Sequence, residues 1–92
     1  MVESFRHKGL KRFFTKNDSS KLPAKQIAKI RYILTRLNAA QDVQDMNYGG
    51  SGFHQLGGSL KDFYSVKVTG NYRIIFKFTE GHASDVDYLD YH

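Results

Sequence analysis

The sequence predicts an α+β protein in which two N-terminal helices pack on one face of an antiparallel sheet of four to five strands. Three observations carry that prediction. Apolar residues recur at three- and four-residue steps as far as Leu37. They alternate every second residue beyond Phe53, and turn-forming pairs cut that half into short runs. Helices first and consecutive strands afterwards is the order of a sheet whose helices are segregated to one side.

Val2-Glu3-Ser4-Phe5 alternates apolar and polar and reads as a short first strand. From His7 the period changes: Leu10, Phe13 and Phe14 fall on one helical face, with Lys8, Lys11, Arg12 and Lys16 around the rest. Asn17 to Ser20 is a loop. Pro23 suits the first turn of a second helix, where its missing N–H has no partner to lose. Ile27, Ile30, Ile33, Leu34 and Leu37 make the apolar stripe of that helix, and Lys25, Lys29 and Arg36 point away. Asn38 to Asp45 is expected to fray, and Asn47 to Gly52 to be a flexible loop. Phe53–Leu56 is the next strand. Tyr64, Val66 and Val68 share one strand face, and Gly70-Asn71 turns the chain. Tyr72, Ile74, Phe76 and Phe78 form the apolar row of the strand that follows, opposite Arg73, Ile75, Lys77 and Thr79. Gly81-His82 turns it again into a last strand, Ser84 to His92.

Ninety-two residues allow one domain, residues 1–92, with one modest core. The absence of cysteine excludes a disulfide scaffold, a thiolate zinc site and a cysteine nucleophile, and is compatible with a reducing compartment. No stretch reaches the length of a membrane span, and Val2-Glu3-Ser4 is no signal sequence, so a cytoplasmic protein without membrane contact is expected.

Charge is unevenly spread. Residues 1–36 carry ten Lys/Arg against Glu3 and Asp18, a balance of +8, whereas residues 37–92 balance at −3. A basic half favours a polyanionic partner, although solvated helix faces produce the same pattern. No phosphate loop, histidine pair at metal-ligand spacing or nucleophile elbow is present.

What remains is a cluster near one end of the sheet. His54 precedes the meander, Arg73 follows its first turn, and Asp90-Tyr91-His92 closes the chain. Antiparallel neighbours would bring these together. Histidine exchanges protons near neutral pH, arginine neutralises a phosphorane, tyrosine stacks on a base, and aspartate fixes a histidine tautomer. That set suits RNA strand scission. Each residue alone also has an ordinary reading: a surface histidine, a packing tyrosine, or Arg73 paired with Glu80 or Asp85.

Four segments together resemble the HigB branch of the RelE/ParE superfamily, the toxins of bacterial type II toxin–antitoxin modules, also called plasmid-maintenance killer proteins. They are Ser4 to Lys11, His54-Gln55-Leu56-Gly57-Gly58, Asn71-Tyr72-Arg73-Ile74 and Asp87 to His92. The resemblance spans the whole chain and implies a RelE-like, microbial-ribonuclease-type fold. It also implies ribosome-dependent cleavage of mRNA that inhibits translation, by attack of the 2′-OH without metal or cofactor. The implied partners are a HigA-like helix-turn-helix antitoxin, the 70S ribosome and mRNA, with operator DNA reached only through the antitoxin complex. His54, Arg73, Asp90, Tyr91 and His92 match the family's active-site positions. His92 is the first candidate for acid or base, oriented by Asp90. On that match Arg73 would stabilise the phosphorane, Tyr91 would hold a base and His54 would assist proton transfer. Lys8, Lys11, Arg12 and Lys16, with Lys25 and Lys29, would then meet ribosomal phosphates. One departure stands out: the family usually reads His-Pro-Leu-Lys-Gly, so Gly57 replaces a phosphate-facing lysine, a role open to Lys61 or Lys67. The rival expectations are a ParE-like gyrase poison, which shares the fold and needs no acid–base groups, and a weakened toxin kept as antitoxin-binding co-repressor.

Overall fold

The computed structural model describes residues 1–90. Its elements run α1 (Lys8–Lys16), α2 (Ile27–Ala39), β1 (His54–Gln55), β2 (Tyr64–Thr69), β3 (Tyr72–Thr79) and β4 (His82–Asp90), with single 3₁₀ turns at Ala24–Gln26, Val43–Met46 and Gly58–Leu60. The strands form one antiparallel sheet in the order β1-β2-β3-β4.

Each helix is bounded by its local sequence. His7 caps α1: its Nδ1 accepts from the Leu10 N–H at 3.2 Å. Asn17, in the left-handed region at φ 55°, ends the helix. Pro23 stands just ahead of the Ala24–Gln26 turn, so a 3₁₀ turn intervenes between the proline and α2. Leu10 and Phe13 of α1 and Ile30, Ile33, Leu34 and Leu37 of α2 are buried against Val66, Val68, Ile74, Phe76, Ala83 and Val86 of the sheet. At about 25 cal/mol per Å² of apolar surface removed from water, this layer is the main source of stability.

Two expectations for this helical half are corrected. Asn38 to Asp45 does not fray. The helix stops at Ala39, and Asp42 and Asp45 build a capping box for the next turn: Asp42 Oδ1 accepts from Gln44 N–H at 2.8 Å, and Asp45 Oδ2 accepts from the N–H groups of Gln41 and Asp42 at 3.0 and 3.2 Å. Those donors hold the Asp45 carboxyl below the usual range. Nor does Arg36 point into water. Its guanidinium lies 4.6 Å over the Tyr48 ring and donates to the Asp45 carbonyl at 3.1 Å and to the Tyr32 hydroxyl at 3.2 Å.

In the sheet, Gly70-Asn71 turns β2 into β3, with Gly70 at φ 53°. The second turn falls one residue earlier than expected, on Glu80-Gly81, both with positive φ as a type I′ hairpin requires. Val2 to Phe5 forms no full strand. It makes two isolated parallel bridges to β4, Val2 to Ala83 and Phe5 to Val86, and so covers an otherwise open edge. A β4 bulge with Asp85 at φ 51° accommodates this docking, since the Asp85 N–H reaches Ser4 Oγ at 2.9 Å.

Neither α1 nor α2 covers the sheet's other face. There Leu56, Phe63 and Ile75 form a small second cluster with Leu60 and Leu89 beside it. Arg6 and Lys77 lie over the Phe63 ring at 5.0 and 5.3 Å. No helix among the described residues is long and apolar enough to cross a membrane.

Candidate active site

The polar groups singled out in the sequence divide between the two faces, and strand register decides which goes where. Lys67 stands opposite Arg73, Arg73 opposite Leu89, and His54 opposite Ser65. These residues share the open face with Ile75. Asp90 stands opposite Tyr72 and belongs to the row of Ile74 and Tyr88, the helix-facing side. Arg73 and His54 therefore meet, while the Asp90 side chain starts from the other row at the end of the neighbouring strand. Tyr91 and His92 lie outside the described residues.

Arg73 is held by what surrounds it. Its Nε donates to Ser65 Oγ, and its Nη2 donates to the Gly52 carbonyl at 2.6 Å. It pairs with neither Glu80 nor Asp85; Asp85 instead lies 3.6 Å from Lys77. Gly52 can present its carbonyl here because it adopts φ 56°, a left-handed conformation cheap only for glycine. A β-carbon at Gly52 would lie 3.4 Å from Arg73 Nη2 and 3.5 Å from the Lys67 side chain. The preceding residue is pinned as well: the Ser51 carbonyl accepts from Lys67 N–H at 2.7 Å, and Ser51 is buried. The loop expected to be flexible thus ends docked along β2.

The Gly52 carbonyl is also 3.1 Å from His54 Nδ1. In the tautomer that donates from Nδ1 to this carbonyl, Nε2 is the basic nitrogen, on a side chain open to solvent. Arg73 Nη2 lies 3.4 Å from the same Nδ1, so a fixed positive charge borders the imidazole. A guanidinium beside an exposed imidazole can bind a phosphodiester and exchange a proton with it.

The remaining cations vary. Lys67 shares the face of Arg73, and Lys61 is exposed at the end of the Gly58–Leu60 turn. Position 57 is exposed, has ordinary extended backbone and open space around it, so a lysine there would meet nothing. Lys8, Lys11 and Lys16 are exposed on α1, across the sheet from Arg73. Arg12 is committed to Asp18 at 2.7 Å, a carboxylate held well below its usual range by bonds from Ser20 and Arg12. Among the described residues no three His, Asp or Glu side chains gather as metal ligands.

Sequence reasoning missed Ser65. In an alternating strand it reads as a solvent-facing position, yet it is fully buried beneath Arg73.

Comparison of the fold places it in a class. The chain superposes on a chain of the YoeB-YefM toxin–antitoxin complex from Staphylococcus aureus with TM-score 0.63 at 16% identity, covering 100% of this chain and 98% of that one. The YoeB dimer from the same organism gives 0.61 at 16% identity, covering 99% and 94%. The fold is that of these small toxins. Sequence comparison narrows the class. The profile described as "RelE-like toxin of type II toxin-antitoxin system HigB" matches residues 3–92, and the chain belongs to that HigB-like toxin family. It is 36% identical over 92 residues to "Endoribonuclease HigB" of Proteus vulgaris, covering all of both chains. It is 33% identical over 94 residues to "Toxin HigB-1" of Vibrio cholerae serotype O1, covering 100% of this chain and 98% of the relative. A family of this kind is defined by pairing with an antitoxin.

Proposed function

We propose that this toxin is an endoribonuclease that cuts mRNA on the 70S ribosome through 2′-OH attack at the open face of its sheet, and so halts translation in the cytoplasm. The observation that carries the reading is the Arg73–His54–Gly52 arrangement: a guanidinium and an imidazole on one carbonyl, at the surface of a chain akin to a named endoribonuclease.

In this scheme the 2′-oxygen attacks the adjacent phosphorus as a base removes its proton. The P–O5′ bond breaks as an acid protonates the departing 5′-oxygen. The upstream fragment keeps a 2′,3′-cyclic phosphate and the downstream fragment a 5′-hydroxyl. Arg73 binds the phosphorane, where charge develops most. His92 acts as acid or base with Asp90 orienting it, His54 assists through Nε2, and Tyr91 holds a base. Lys67, directly across from Arg73, supplies phosphate charge where Gly57 provides none, with Lys61 a second source. Lys8, Lys11 and Lys16 meet ribosomal RNA from the opposite face. A HigA-like helix-turn-helix protein neutralises the toxin, and operator DNA is bound only by that complex.

Translating ribosomes with purified toxin test the scheme by mapping mRNA ends. Wild type should leave cyclic-phosphate and 5′-hydroxyl ends. His92→Ala and Arg73→Ala should each lose at least about tenfold, about 1.4 kcal/mol of transition-state stabilisation. A message with 2′-deoxyribose at the cut nucleotide should resist. Cleavage of that message, or wild-type rates from both variants, would refute the mechanism.

A further inference from the structure

We infer that Ser65 and the Gly52 carbonyl form a positioning cradle that sets the orientation of Arg73 for its role at the scissile phosphate. The inference rests on the reading of Arg73 given above and adds two groups to it.

Ser65 is 0% exposed, and its hydroxyl accepts from Arg73 Nε. A fully buried hydroxyl costs free energy unless it is bonded, and Arg73 is the donor that Ser65, standing between His54 and Ile75 in the ladder, finds. Gly52 accepts from Nη2 at 2.6 Å. Two fixed acceptors hold a planar guanidinium at two of its nitrogens, which removes rotation about the last side-chain bond. Neither acceptor uses Nη1, and this is the nitrogen that meets a phosphate oxygen. The same carbonyl holds His54 Nδ1 at 3.1 Å, so one backbone oxygen fixes the spacing between guanidinium and imidazole. Both acceptors are themselves immobile: Ser65 lies inside the β1–β2–β3 ladder, and Ser51-Gly52 is tied to β2 through the Lys67 N–H. Orientation of this type is worth large factors in rate, because a displacement of about 1 Å can cost on the order of a hundredfold.

Single-turnover cleavage of ribosome-bound mRNA tests this in Ser65→Ala, Gly52→Ala, Arg73→Ala and Ser65→Ala/Arg73→Ala proteins, with melting temperature and ribosome affinity measured alongside. Ser65→Ala should lower the maximal rate about tenfold and leave the half-saturating ribosome concentration unchanged. The same substitution should have no further effect once Arg73 is alanine, because nothing remains to be positioned. A merely structural serine would instead cost the same in both backgrounds, and that result would overturn the inference. So would a wild-type rate from Ser65→Ala. If Ser65→Ala fails to fold, Gly52→Ala decides: a comparable loss in maximal rate supports the cradle, and an unchanged rate refutes it. A fully active Arg73→Ala protein is a different failure, since it removes the assigned role of Arg73 itself.

Discussion

The two faces of the sheet are built from the same strands and do opposite things. On the helix side, Ile74 and Phe76 of β3 disappear beneath α1 and α2 together with Val66, Val68 and Val86. On the other side the intervening residues of that strand, half-buried Arg73 and Lys77 with buried Ile75 between them, face away from the helices. Yet the open face is not simply wet. Phe63 is buried there beneath Arg6 and Lys77, in one cluster with Ile75 and Leu56, and Ser65 is buried beneath Arg73. The difference teaches how a small protein holds reactive groups still: one face supplies stability, and the other adds just enough apolar packing to make a rigid floor under exposed charge.

Substitutions should separate the faces cleanly. Phe76→Ala, on the helix side, should destabilise the fold by about 3–5 kcal/mol, read by denaturant titration, and reduce activity only in proportion to unfolding. His54→Ala, on the open side, should do the reverse: at least tenfold slower cleavage with a denaturation midpoint near wild type, since the ring is exposed. A large stability loss from His54→Ala would blur the division. Gly57→Lys should raise the cleavage rate with little change in stability, as its side chain has room; an unchanged rate would mean Lys67 or Lys61 already fills the need. Away from both faces, Glu80→Gly should stabilise the protein by about 1 kcal/mol, because Glu80 now adopts φ 50°.

The smallest effect is one of pH. Burial, then Tyr72 and Asp90, push the Tyr88 hydroxyl up from 10.0 to about 12. A group whose folded value is raised favours the folded state fully below pH 10, and this contribution is lost as the pH climbs to about 12. Tyr88→Phe should therefore flatten the fall in stability across that window, and an unchanged alkaline slope would exclude the tyrosine as its source.

How much of this was legible depends on what each residue's neighbours are. The helices announced themselves through Leu10, Phe13, Ile30, Leu34 and Leu37, because a helical face is set by spacing alone. The hairpins followed from Gly70 and Gly81. Arg73 and His54 were visible as chemistry, but their supporting groups were not. Counting back from the Gly70-Asn71 turn pairs Arg73 with Val68, on the apolar row. The irregularity between Lys67 and Thr69 shifts the register, so that Lys67 faces Arg73 and Ser65 comes within its reach. No local pattern encodes that slip. Arg36 was misplaced for a similar reason: its aromatic cover, Tyr48, comes from a distant turn. Asp42 and Asp45 did carry a readable signal, a capping pair three residues apart, which the expectation of fraying passed over.

The most direct measurement is the single-turnover rate of ribosome-bound mRNA cleavage by Arg73→Ala, taken beside its denaturation midpoint. Cleavage slowed at least tenfold by a protein that still folds, with a stability loss of about 1–3 kcal/mol from the buried hydroxyl left unpaired at Ser65, is the predicted outcome. Wild-type cleavage by a folded Arg73→Ala protein would contradict the assignment of the open face as the site of reaction.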